Sequence, residues 1–346
     1  METTKPTRAN FVRLSLLVSA GLMMIMLVVL TAGCSNNDND PETVSVSFMA
    51  GFRAQANLPF VAAYVAKDQG FFQEEGLDVT IRHSGGQNEH IKLLLADEVQ
   101  FTTSTAAQVL QSRSEDIPVR AAALFGQRGD QGFVTRADSG IESPADFAGK
   151  TVGFKAGVVP AELLALLKTA NLTKDDIELQ GVGFDPRVFI DGGVEVYPVF
   201  LNNEPDTIRK AGLDINVIDP QDFGVPTLGV TYLVTEKMLK ENADITERYL
   251  RATLRAVKWI ETHVDESIDI TLTYAEGADA DHQQFLLTTD IENAQRTDGI
   301  GRGTVAQWEA LHEMLVSSDV LKDAVEVSDA FDGSIVDSLY NSGEIK

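Results

Sequence analysis

Two successive runs of alternating β- and α-type segments constrain this chain more than any other feature. Val44-Ser45-Val46-Ser47-Phe48 alternates with a period of two and predicts a strand. A helix follows over 59–69: Pro59 suits its first turn, Gly70 its exit, and Phe60, Val61, Tyr64 and Val65 share one face. Strand-like Leu77–Ile81 closes a β-α-β unit, and a helix over 87–96, a strand at 99–101 and a helix from Ala106 repeat it. Residues 119–125 and 131–136 add strands. The rhythm restarts at Gly149, with strands at 151–154, 177–182, 194–200 and 215–218 and helices at 160–170, 186–191 and 205–211. Such alternation requires a mostly parallel sheet covered on both faces, and two sets of it predict two α/β lobes. Strand 228–235 returns the chain to the first lobe, after which the pattern is mostly helical. One long helix over 244–264 has Leu250, Leu254, Val257 and Trp259 or Ile260 on its apolar face, and two more helices span 304–316 and 329–340. No internal repeat is visible at the level of residues.

The N-terminus follows different rules. Lys5, Arg8 and Arg13 precede an apolar run from Leu14 to Leu30, and Leu30-Thr31-Ala32-Gly33-Cys34 closes it. This is the pattern of a secretory signal, somewhat short for a membrane span, and its end resembles the bacterial lipoprotein box. That resemblance implies cleavage before Cys34 and a lipid on its thiol, with residues 34–43 as a polar tether. Cys34 is the only cysteine in the chain, so the mature domain has no disulfide, thiol nucleophile or Cys-based metal site. The expected location is extracytoplasmic, lipid-anchored to the cell membrane. The formal net charge of −24 argues against nucleic acid, which requires a basic face.

Catalytic patterns are absent. The histidines at 83, 90, 263, 282 and 312 form neither H-x-H nor H-E-x-x-H. There is no G-x-S-x-G elbow and no Walker loop, and Gly299-Ile300-Gly301-Arg302-Gly303 lacks the β-α-β context of a phosphate loop. The reading is therefore no enzyme, no metal and no cofactor.

A binding site remains. In open α/β sheets ligands sit beyond the carboxyl ends of the strands, where helix N-termini point. Four polar strand-to-helix turns qualify: Arg53–Asn57, His83–Asn88, Thr102–Thr105 and Lys155–Pro160. Each has an ordinary alternative, since Asn57, Ser84, Ser104 or Thr105 would serve as N-caps worth ~1 kcal/mol apiece. Tyr197-Pro198-Val199-Phe200-Leu201-Asn202-Asn203-Glu204-Pro205 is the sharpest candidate. Here a strand ends in two amides and a carboxylate before a proline-led helix. Glu204 there suits paired N–H donors of a heterocycle, with Tyr197 or Phe200 stacking on its ring; equally, Glu204 is a cap and the aromatics are core.

Several stretches resemble a known family. Tyr64-Val65-Ala66-Lys67-Asp68-Gln69-Gly70-Phe71-Phe72 followed by Glu74-Glu75-Gly76-Leu77-Asp78-Val79 is similar to the opening of ABC-importer solute-binding proteins of the thiamine-pyrimidine-precursor (ThiY-like) and sulfonate-binding group. Leu93–Ala96 with Val99–Phe101, the Ser143–Gly153 segment and Asn203-Glu204-Pro205 extend the likeness, which covers essentially 44–340. The resemblance implies a two-lobed periplasmic-binding-protein-like fold of type II, with a helical C-terminal part packed on the first lobe. Its boundaries are expected at 44–136 plus 227–346 for the first lobe and 137–226 for the second. It implies a monomer that captures a small aromatic N-heterocycle, riboflavin or a thiamine pyrimidine precursor, and hands it to ABC permease subunits. Pyrimidine-precursor binders carry a Trp-x-Pro-Asn-x-x-His run; here Asn57 is kept while Ala54 and Phe60 replace the tryptophan and histidine. Gln55–Phe60 resembles instead a branch regarded as riboflavin-binding, and the loss of a tryptophan would make room for a larger ring. The expected ligand-binding residues are Gln55, Asn57, Phe60, Ser84, Gln87, Thr103, Ser104, Gly157, Tyr197, Asn203, Glu204 and Tyr232. The rivals are an aliphatic sulfonate or nitrate binder, a pyrimidine-synthase-type enzyme and a sensor ectodomain.

Overall fold

The computed structural model describes residues 43–155, 157, 159–321 and 324–345; the leader 1–33, Cys34 and the tether through residue 42 lie outside the described residues. Ten strands run through the described residues: β1 (Val44–Ala50), β2 (Leu77–His83), β3 (Phe101–Thr105), β4 (Val119–Leu124), β5 (Gln131–Arg136), β6 (Thr151–Phe154), β7 (Glu178–Gly181), β8 (Val196–Phe200), β9 (Ile215–Ile218) and β10 (Val230–Thr235). The helices that position the site are α1 (Leu58–Asp68), α2 (Ala106–Ser114), α3 (Ala161–Thr169), α4 (Glu204–Lys210), α5 (Ala243–Ile260), α6 (Val264–Tyr274), α7 (Ala280–Ala294) and α8 (Val305–Ser317).

The strands form two five-stranded sheets, ordered β2-β1-β3-β10-β4 and β7-β6-β8-β5-β9. In each, the first three strands are parallel and the fourth runs antiparallel to both its neighbours. The two sheets thus repeat one topology although no residue-level repeat connects them. In both sheets the antiparallel strand belongs to a crossing: β5 carries the chain into the second sheet and β10 carries it back. The expected boundary after residue 136 is therefore corrected, because β5 pairs with β8 and β9 rather than with any strand of the first sheet. Its apolar pattern marks a buried strand and cannot specify which sheet buries it.

Side-chain alternation explains the layering. In β1, Val46, Phe48 and Ala50 join one core cluster and Met49 the other, as a parallel strand buried on both faces requires. Against the first face pack α1 and α5. Tyr249 of α5 stacks on Phe101 with centroids 3.8 Å apart, and Phe48 and Tyr232 flank the pair. Each such ring contributes on the order of 1.5–3 kcal/mol by leaving water. The far face is lined by α2 and α8, and this cluster continues into the second sheet through Phe133, Val152 and Leu166.

The helix expected over 244–264 ends instead at Ile260, and α6 starts at Val264. His263 sits between them at φ −135°, ψ 52°, with Nδ1 2.9 Å from the Trp259 carbonyl. Ile260 is buried, while Trp259 is half-buried and stacks on His263.

The two crossing segments touch at a pair of glycines. Gly229 N–H donates to the Gly126 carbonyl at 2.9 Å, and a Cβ on Gly126 would lie 2.5 Å from the Gly229 Cα. The obstacle is backbone, so no rotamer relieves it. Gly126→Ala should cost about 2 kcal/mol by forced overpacking and lower the melting midpoint by several degrees in a circular-dichroism melt. An unchanged midpoint would contradict this close approach.

Candidate functional site

The turn after β1 opens α1, and an acid more than 200 residues downstream completes it. Asn57 holds the N-cap position, but its side chain makes no capping bond. The Leu58 N–H donates instead to Asp290 Oδ2 at 3.0 Å, and Asn57 Nδ2 donates to the same oxygen at 3.1 Å. The other carboxylate oxygen of Asp290 accepts from Asn202 Nδ2, beyond β8 of the second sheet, at 2.6 Å. One carboxylate therefore receives donors from both lobes. A negative charge at the N-terminus of α1 is favourable because unpaired N–H groups and the helix dipole converge there.

The helix α7 presents that acid because of its spacing. Gln283, Leu286, Leu287 and Ala294 are buried, and Asp290 falls on the same stripe. Gln283 Oε1 accepts the Ala56 N–H at 2.8 Å, on the first-lobe side. On the second-lobe side, the His282 ring nitrogens lie 2.7 Å from Asp206 Oδ2 and 2.9 Å from Asn203 Oδ1. Asn293 accepts the Arg128 N–H and donates to its carbonyl, at 2.8 and 3.1 Å, which clamps a crossing segment. A single helix thus binds the first lobe, the second lobe and the passage between them.

Around Asp290 lies a polar gap lined by Asn57, Phe125, Asp130, Asn202 and Asn293, among others, with a volume of about 30 Å³. That is room for roughly one water. The gap is rich in acid. Burial pushes the Asp130 carboxyl up to about 7, reinforced by Glu162, Asp290 and Glu204. Burial likewise raises Asp290, against the pull of its three donors, and raises Glu162 in the first turn of α3.

On the second lobe, Glu204 begins α4. Its Oε2 accepts the Phe200 N–H at 2.7 Å and its Oε1 faces Lys155 Nζ at 2.5 Å. The Lys155 ammonium also lies 5.0–5.4 Å from the ring centroids of Phe184, Tyr197 and Phe200. Burial lowers the Lys155 pKa, opposed by Glu204.

The expected site residues fall into three groups. Asn57, Asn203 and Glu204 stand at the facing edges of the two lobes, and Gln55 supports Asn57 with a 2.5 Å bond to its Oδ1. Five others serve the interior of the first lobe. Phe60 and Tyr232 lie in its core, the Tyr232 hydroxyl donating to the Pro59 carbonyl at 2.6 Å. The Thr103 hydroxyl accepts the Gly51 N–H, Ser104 donates to Gln108, and Ser84 accepts the Gly86 N–H. Tyr232 presents no ring face to the gap, and Tyr197 is fully buried, stacked on Phe189 with its hydroxyl on the Gly183 carbonyl. The third group is exposed: Gln87 and Gly157 are both in left-handed backbone, and Gln87 edges a separate shallow depression with Glu89 and Lys92. Sequence reasoning missed Asp290, Asp130 and Glu162, and it placed Asn202 and Lys155 inside candidate turns without assigning them a role. The one available signal was an acid on an otherwise apolar stripe of α7.

The family described as NMT1/THI5 like matches residues 57–267. The chain is 27% identical to the formylaminopyrimidine-binding protein of Halalkalibacterium halodurans, over 91% of this chain and 98% of that protein. It is 25% identical to the riboflavin-binding protein RibY of Chloroflexus aurantiacus, over 81% of this chain and 83% of that protein. Among solved structures, the periplasmic aliphatic sulphonate binding protein SsuA of Escherichia coli superposes with a TM-score of 0.66 at 13% identity, covering 84% of this chain and 92% of its own. The fold is that of type II periplasmic binding proteins, as expected, with two mixed five-stranded sheets.

Asp130 makes stability depend on pH with a definite sign. Its unfolded carboxyl ionises near 4 and its folded one at about 7. Between those values the folded state holds the extra proton, so stability falls as pH rises from about 4 to about 7 and levels off above. Urea unfolding at pH 5 and pH 8 should give a smaller loss of stability for Asp130→Asn than for the wild type. Equal losses would contradict the assignment.

Proposed function

The chain belongs to the NMT1/THI5-like family, and from that premise we propose that it is the solute-binding lipoprotein of an ABC importer, capturing a small aromatic N-heterocycle between its lobes. The observation that carries this reading is the Asp290 carboxylate, which takes an amide donor from each lobe at 3.1 and 2.6 Å. A heterocycle bearing amino groups offers the same N–H donors in one rigid plane. It would take over the positions of Asn57 and Asn202, so capture exchanges internal hydrogen bonds for ligand ones while the lobes still close on a shared acceptor. No bond chemistry is assigned. The leader ending at Cys34 supports export and a lipid anchor, and a permease is the corresponding partner.

Ligand class follows from charge. Glu162, Glu204 and Asp290 all act on Asp130, and Lys155 pairs with Glu204. An anionic sulfonate or nitrate would push these carboxyls further toward their protonated forms, so that rival is disfavoured. Between the two heterocycles, an aminopyrimidine brings an exocyclic amine to the carboxylates, whereas a flavin ring system brings a single ring N–H and must rely on its ribityl hydroxyls. The thiamine-type pyrimidine is therefore the first reading. Riboflavin is the second, supported by the likeness to RibY.

Calorimetry tests this directly. A 4-amino-5-(formylaminomethyl)pyrimidine should bind at least about tenfold more tightly than riboflavin, and Asp290→Asn should weaken it by about tenfold or more, the loss expected of one charge-assisted hydrogen bond. Tighter binding of riboflavin would reverse the ranking. Binding of neither would overturn the heterocycle reading.

A further inference from the structure

On the second lobe, close in sequence to Asn202 of the gap, an ammonium already sits among aromatic rings and an acid. Lys155 Nζ has three aromatic ring faces around it, Phe184 at 5.4 Å, Tyr197 at 5.0 Å and Phe200 at 5.3 Å, and the Glu204 carboxylate at 2.5 Å. The side chains of Lys155 and Glu204 are 11% and 7% exposed, so water screens little of this attraction. Aromatic faces carry negative potential and hold cations within about 6 Å of their centroids. Three rings and an acid are more than one lysine needs for solubility or capping. Tyr197 and Phe200 are fixed by β8 and Glu204 by the first turn of α4, whereas Phe184 stands on the loop after β7 and is 59% exposed. Lys155 lies just past the end of β6, followed by Gly157 at φ +73° with open space around its Cα.

We propose that this box is the subsite for an ammonium group on the ligand, and that the Lys155 side chain occupies it as an internal competitor which the ligand displaces. The inference rests on the heterocycle-binding reading and deepens it: the ligand class becomes a flat N-heterocycle bearing a protonated primary amine on a short arm. Its ring donors face Asp290 and its ammonium faces Glu204 and the three rings. Charge supports the same conclusion. Burial favours the protonated forms of Asp130, Glu162 and Asp290, so an incoming cation is drawn toward carboxyls that can ionise beside it, whereas a neutral ligand leaves them protonated. Competition by Lys155 then sets a threshold: a neutral arm, a formylamino group included, leaves Lys155 in place and the ligand binds through its ring donors alone, below the affinity of a charged arm.

A matched pair of probes reads this out by calorimetry: 4-amino-5-aminomethyl-2-methylpyrimidine, charged at neutral pH, and its 5-hydroxymethyl counterpart. The wild-type protein should prefer the aminomethyl compound by at least about tenfold. In Lys155→Ala that preference should widen by a further factor of about five, because the competitor is gone, and in Glu204→Gln it should shrink to within about threefold. Equal or tighter wild-type binding of the hydroxymethyl compound overturns the proposal without any variant having to fold. So does a Lys155→Ala protein that melts like the wild type but loses aminomethyl affinity, because Lys155 would then be a ligand contact. Failure of both pyrimidines would count against the heterocycle reading alone. In that event benzylammonium must still bind Lys155→Ala more tightly than benzyl alcohol does, and equal binding of the two overturns the ammonium box.

Discussion

The Asp290 carboxylate is the interaction on which the arrangement of the cleft depends. It supplies the missing cap of α1, holds Asn57 in place, and accepts Asn202 from the opposite lobe. A buried carboxylate is costly unless its lone pairs are used, and here three donors use them. The same economy makes the site replaceable. Amide side chains are exchangeable donors, and any ligand presenting N–H groups in a similar fan can substitute for them without stranding the acid.

The helix that carries Asp290 explains why the gap is shaped as it is. The α7 helix touches residue 56 through Gln283, α4 through His282 and the crossing segment through Asn293. Any movement of one lobe against the other would rearrange bonds along one helix face. The glycine pair at 126 and 229 keeps the crossing segments in backbone contact, which narrows the directions in which they can flex. Continuity of the second core cluster from Trp308 to Leu166 adds an apolar anchor on the far side. Opening is then expected on the side of Asp290, where the contacts are polar and exchangeable.

Much of the architecture was legible from residue order, and the site only in part. Period-two and helical alternation located most strands and helices, because each element must bury one face whatever its neighbours are. It could not assign β5 to a sheet, since burial pattern carries no partner information, and it ran α5 through His263, where a local ring-to-carbonyl contact ends the helix. Asn57 and Glu204 were singled out from the sequence because turns after strands are where ligands and caps both gather. Asp290 was not singled out, because its partners lie 88 and 233 positions away and its place on the buried stripe of α7 is a weak mark in a chain with 52 acids. Tyr232 shows the opposite error: an aromatic on a returning strand near the cleft serves the core of the first lobe.

The most direct test of this account is a pair of double-mutant cycles at Asp290, measured by urea unfolding at pH 8. Asp290→Ala with Asn202→Ala tests the arm to the second lobe, and Asp290→Ala with Asn57→Ala tests the arm to the first. If one carboxylate joins both lobes, each cycle should return a favourable coupling of about 1 kcal/mol or more, as for hydrogen bonds to a charged group. Coupling indistinguishable from zero in the Asn202 cycle would contradict the account, because the lobes would then meet without sharing this acid.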